Sequence, residues 1–177
     1  MANNAFTICS LIYSILINCA YFTKKRIDTK ENKIYGKLIQ LNLLNIINAI
    51  ICHYTIINRE SIPLLNDLVS KSLLVVFFLW VYIFNIYVFV ISDIKIDIEG
   101  KKYKIISMII CLIVALFIYI LPLEYYSTSI IAYSFGKSAN FMYALTTLTF
   151  IGWGLLILKN HKKVKSKNNY QNYCHTQ

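Results

Sequence analysis

The chain has 177 residues, 58% of them hydrophobic, and a formal net charge of +10. The apolar residues are gathered into long continuous runs, more than a single water-soluble core could bury. The charges fall almost entirely between those runs, which argues against nucleic acid as the reason for the basic excess and for membrane topology instead.

The first run covers residues 5–22. No basic residue precedes it, and Lys24, Lys25 and Arg26 follow it. A cleaved signal peptide carries its positive charge in front. The run therefore predicts an uncleaved helix with the N-terminus outside. Further runs cover 38–57, 68–92, 105–126 and 141–158, the fourth interrupted late by Pro122. Each is close to the ~20 residues a helix needs to cross ~30 Å of hydrocarbon. Only helices are expected there, because no water is present to satisfy backbone polar groups. The expected fold is an all-α membrane protein, a bundle of about five transmembrane helices in the cell membrane. Residues 1–158 form its membrane region, and 159–177 form a basic cytoplasmic tail expected to be disordered.

Orientation follows from the connecting segments. All but Arg59, Lys71 and Lys137 of the 18 basic residues lie between the first two runs, between the third and fourth, or in the tail. Lys24, Lys25, Arg26, Lys162 and Lys163 are the main determinants. The positive-inside rule then places the N-terminus outside and the C-terminus in the cytoplasm, which needs an odd number of spans. Tyr54, Tyr125, Tyr126 and Tyr133 fall near the outer boundary and Tyr21, Tyr35 and Tyr103 near the inner one, as an aromatic belt would. The lipid bilayer is the one partner this pattern names. The basic segments gain about 1 kcal/mol per charge against anionic lipid.

No Asp, Glu, Lys or Arg lies in the central part of any run. Intramembrane ionisable residues mark ion paths and catalytic centres, so an ion-coupled transporter or intramembrane enzyme is disfavoured. No His-Glu-x-x-His, phosphate-loop or Gly-x-Ser-x-Gly pattern is present. Cys9, Cys19, Cys52, Cys111 and Cys174 form no Cys-x-x-Cys pair. No cofactor, metal site or catalytic residue is expected.

What remains is neutral polarity in stripes. On an ideal helix Asn42, Asn45, Ala49 and His53 share a sector about 80° wide. Ser14 and Asn18 lie on a matching stripe of the first helix. Antiparallel neighbours joined by a short loop pack together, so both stripes are expected to face the bundle interior. Two roles fit this seam: interhelical hydrogen bonding at ~0.6–2 kcal/mol per bond, or a ligand-sensing cavity near His53. His53 itself fits either a packing histidine or a ligand or pH sensor.

Four segments go further than composition. Tyr21-Phe-Thr-Lys-Lys-Arg-Ile-Asp-Thr-Lys-Glu-Asn-Lys-Ile-Tyr35 resembles the first cytoplasmic loop of a family of sensor histidine kinases from low-GC Gram-positive bacteria. Ile62-Pro-Leu-Leu-Asn-Asp-Leu-Val-Ser-Lys71, Tyr133-Ser-Phe-Gly-Lys-Ser-Ala-Asn140 and Leu156-Ile-Leu-Lys-Asn-His-Lys-Lys163 follow in the same order. The resemblance spans about residues 11–165. It implies a polytopic region that detects a signal in or near the membrane and sets the activity of a two-component kinase, with a homodimer expected by analogy.

The family's phospho-accepting histidine is followed by an acidic residue. Here His161 precedes Lys162 and Lys163, and His175 precedes Thr176 and Gln177. No Asn-box or ATP lid is present in the chain. The chain is thus expected to be catalytically inert, the sensing and anchoring region of a truncated or fragmentary sensor. The competing expectation is a self-contained small membrane protein, a transport or immunity component acting by protein–protein contact.

Overall fold

The computed structural model describes residues 2–92, 100–128 and 132–174, with side chains from residue 6 to 158 except those at 93–99, 101, 104, 129–131, 156 and 157. The described chain is helical apart from one small hairpin. Five helices, α1 (Ala2–Thr23), α2 (Lys30–Ile57), α3 (Pro63–Ile91), α4 (Lys101–Ile120) and α5 (Lys137–Cys174), are joined by strands β1 (Glu124–Ser127) and β2 (Ala132–Phe135) between α4 and α5.

Local chemistry explains the boundaries. Thr29 caps α2, its hydroxyl accepting from the Asn32 amide at 3.3 Å. The helix therefore begins eight residues before the apolar run at 38. The polar turns from Lys30 to Lys37 are helical too, which hydropathy alone does not register. Asn58 closes the same helix, donating its amide to the Tyr54 carbonyl at 3.2 Å. Pro63 then opens α3 in the first turn, where its missing N–H costs nothing.

Among the described residues three helices are long and apolar enough to cross a membrane: Phe6–Thr23 within α1, then α2 and α3. Helix α4 has a shorter apolar stretch, Ile105–Ile120. Isoleucines and leucines along α1, α2 and α4 point outward, among them Leu16, Ile51, Ile109, Leu112 and Leu116. A hydrocarbon solvent leaves that exposure costless, whereas water would not.

The fourth run differs from the sequence expectation. A span over 105–126 was expected, but the helix stops at Ile120. Pro122 has no amide to continue the ladder, and its ring biases Leu121 to extended backbone, at φ −71° and ψ 140°. Glu124 to Ser127 instead pairs antiparallel with Ala132 to Phe135. Helix α5 starts four residues before the run at 141 and is helical to Cys174. The tail at 159–177, expected to be disordered, is helical as far as Cys174; the side chains of the determinants Lys162 and Lys163 lie outside the described set, and Lys95 lies outside the described residues.

α3 is the central element. It packs on α2 along one side and on α4 and α5 along the other, while α1 lies against α2. The core is an apolar knot of Phe78, Val114, Ile118 and Met142, one residue or two from each of α3, α4 and α5. Aromatic pairs extend it along the helices: Trp80 stacks on Phe84 with centroids 5.6 Å apart, and Phe89 meets Trp153 edge-on at 3.8 Å.

Candidate functional site

The end of α4 poses a hydrogen-bonding problem that neighbouring elements solve. The last four carbonyls of any helix lack partners within it. Here Phe117 accepts from the Leu121 amide at 3.0 Å, Ile118 from the Ser138 hydroxyl at 3.1 Å and Tyr119 from Lys71 Nζ at 3.0 Å. The donors come from the following loop, α5 and α3. A cation at a helix C-terminus is also favoured by the helix dipole.

Lys71 is 9% exposed, and its second partner is Asp67, one turn earlier on α3, with Nζ 2.9 Å from Oδ2. The other oxygen of Asp67 accepts from the Tyr125 hydroxyl at 2.8 Å. Tyr125 belongs to β1, and its carbonyl accepts from Nη1 of Arg59 in the α2–α3 loop. Burial first, then the hydrogen bond and charge of Asp67, push the Tyr125 phenol above the usual tyrosine range. One residue of the hairpin is thus held through both its side chain and its backbone. Beside this clasp Cys52 Sγ and Ser70 Oγ lie 3.3 Å apart between α2 and α3.

The hairpin needs Gly136 to turn into α5. Its φ of +116° is a conformation L side chains avoid, and a Cβ there would sit 3.2 Å from the Pro122 carbonyl oxygen. Tyr125 and Ser134 are direct cross-strand partners, so their side chains share the inner face. Tyr126 and Tyr133 pair on the outer face with rings 5.3 Å apart.

A cavity of about 720 Å³ opens next to this hairpin. Phe6, Thr7 and Ile8 of α1, residues of α2 from Ala49 to Ile57 other than Ile51 and Thr55, Leu73 of α3 and Ala132 to Ser134 of β2 contribute to its walls. His53 lines it and is half-buried. The walls are mainly apolar, with Thr7, His53 and Ser134 as polar exceptions. That composition suits an amphiphile with a small polar group. Among the described residues no cluster of three metal-binding side chains occurs.

The expected polar seam is divided. Ser14 is buried, and Asn18 donates from Nδ2 to the Ser14 carbonyl at 2.8 Å and across to the Ile39 carbonyl of α2 at 3.3 Å. Asn45 is half-buried, and its Oδ1 has no partner among the described residues. Asn42 is exposed, contrary to the expectation that it faces inward. At 100° per residue it falls between the side of α2 that meets α1, through Gly36 and Ile39, and the side that meets α3, through Cys52 and Ile56. Lys24, Lys25 and Arg26 are exposed at the opposite end of the molecule from His53.

No protein-family model matches the chain, and neither a curated protein nor a solved structure does. The site therefore stands on its own geometry. The clasp was missed in the sequence, although its signal was there. Asp67 and Lys71 stand at i and i+4 just after a helix-opening proline, and Lys71 lies inside the expected third run. An ionisable residue in that position calls for a named partner. The partner in β1 lies 58 residues away, beyond the reach of any local pattern.

Proposed function

We propose that the chain is a multi-pass sensing and anchoring region of the plasma membrane. In this reading five helices span the bilayer, α4 and α5 included, with the N-terminus and the hairpin outside and the basic segments inside. The chain detects an amphiphile or a change in lipid packing and performs no phosphoryl transfer itself. The resemblance to sensor histidine kinases supports the same assignment.

One observation bears most of the weight. Ser134 in the cavity wall faces Tyr125 across the hairpin, and Tyr125 is tied through Asp67 and Lys71 to the end of α4. An occupant that moves β2 therefore strains a continuous polar chain reaching three elements. If the clasp has two arrangements and the occupant prefers one, its binding shifts the population toward that one.

Spin labels at Glu60→Cys and Glu124→Cys, in an otherwise cysteine-free chain in lipid nanodiscs, would report the loop-to-hairpin distance. Adding lysophosphatidylcholine should change the distance distribution, and the added bulk of Ala49→Phe in the cavity wall should suppress that change. An unchanged distribution in the parent chain would count against sensing through this cavity. Orientation is read separately: with Cys174 as the single cysteine, a membrane-impermeant thiol reagent should label it only in broken cells.

A further inference from the structure

We propose that the α1–α2 turn is a binding site for the phosphate of an anionic phospholipid headgroup, with Arg26 as its main contact. A cavity of about 450 Å³ lies there, at the end of α1 and the start of α2. Four cationic side chains line it, Lys24, Arg26, Lys33 and Lys37, against the single carboxylate of Asp28. Asp28 is already engaged by Lys33 at 2.9 Å. Among the described residues, Lys24, Arg26 and Lys37 have no carboxylate partner.

Arg26 is held in place. Its guanidinium carbon lies 4.2 Å from the centre of the Tyr21 ring, and Nε donates to the Tyr21 carbonyl at 3.3 Å. That contact uses Nε alone, and the Nη groups make no hydrogen bond among the described residues. A planar fork fixed at its base suits two oxygens of one phosphate better than a flexible ammonium does.

The ring beneath it is fixed in turn. Tyr21 is buried, and its hydroxyl donates to the Asn32 carbonyl. It lies against Gly36, where an added Cβ would come within 3.1 Å of Cε1. A basic cavity alone would serve any phosphate. The rim decides for a lipid: Phe22 and Ile27 also line the cavity and are 55% and 81% exposed. Cations beside exposed apolar side chains, at the end of two helices suited to crossing a membrane, match the headgroup level of a bilayer.

The inference rests on the membrane reading above, and the test separates the two. The full chain is reconstituted in nanodiscs of phosphatidylcholine with phosphatidylglycerol as a minor component, and the lipids retained on release are counted by native mass spectrometry. Arg26→Gln should lower phosphatidylglycerol retention about fivefold. Lys25→Gln makes the same charge change in the same turn but outside the cavity, and should leave retention unchanged. Arg26→Lys keeps the charge and loses the stacked fork, so it should bind weakly too. Equal losses for Arg26→Gln and Lys25→Gln, or full retention by Arg26→Lys, would reduce the effect to diffuse attraction and overturn the site. Displacement of phosphatidylglycerol by millimolar inorganic phosphate would overturn the lipid assignment in favour of free phosphate. A chain that enters the discs but shows no preference defeats only this proposal, whereas one that does not enter them defeats the membrane reading as well.

Discussion

Lys71 Nζ donates to the carbonyl of Tyr119, 48 residues further along the chain, while holding Asp67 at 2.9 Å. The ammonium thus neutralises a carboxylate on its own helix and closes the end of another. Both partners matter because the lysine is nearly out of solvent, and a buried cation without them is costly.

Removing Asp67 alone should therefore hurt more than removing the pair. Asp67→Ala is expected to cost about 1–3 kcal/mol, discounted for the partial exposure of the carboxylate. Adding Lys71→Met to it should restore part of the loss. A double-mutant cycle from reversible unfolding in mixed micelles, followed by Trp80 and Trp153 fluorescence, measures the coupling. Additive losses would mean that the pair contributes nothing specific.

Tyr125 makes the clasp sensitive to alkali. Its pKa is raised in the folded state, so folding favours the protonated phenol. The stability it adds is complete below the unfolded tyrosine value of about 10 and is lost as pH rises through the higher folded value. The unfolding free energy of the wild type should fall more steeply above pH ~10 than that of Tyr125→Phe. Superimposable curves would remove Tyr125 from the account.

Gly136→Ala combines a left-handed backbone with a tight contact to the Pro122 carbonyl. It should cost roughly 1–3 kcal/mol and open the hairpin to proteolysis. Gly152→Ala is the matched control, because a Cβ there meets nothing within 4 Å. Because Gly152 sits inside α5 with ordinary helical backbone, its effect should be neutral to stabilising by up to about 1 kcal/mol, opposite in sign to Gly136→Ala.

Asn85 is 9% exposed, and its Oδ1 has no partner among the described residues. Asn85→Leu should be neutral or stabilising by about 1 kcal/mol, because an unpaired acceptor is removed from the interior. A clear destabilisation in the same unfolding assay would show that the acceptor has a partner after all.

The helices were legible in the sequence where solvent dictates structure. Continuous apolar runs of helical length give α1, α2 and α3 directly. The run at 105–126 misled because its residues stay apolar past Pro122, so hydropathy reads through a point where the backbone cannot. Asn18 was legible as an interhelical donor, since its stripe on α1 meets α2. Asn42 was not, because an angular sector says which residues lie together and nothing of where the neighbour sits. The clasp was legible only in half: the Asp67–Lys71 spacing is local, while Arg59 and Tyr125 meet through folding.

The donors at the end of α4 also limit how that helix can move. A slide along its axis would break the bonds from Lys71 and Ser138 together, whereas a tilt about Ile118 and Tyr119 keeps both. With 20 residues at ~1.5 Å each, the arm is roughly 30 Å long, so a tilt of about 5° carries the Lys101 end through about 2.5 Å. The pinned end is a fulcrum, and a small displacement near the hairpin would appear enlarged at the far end of the helix.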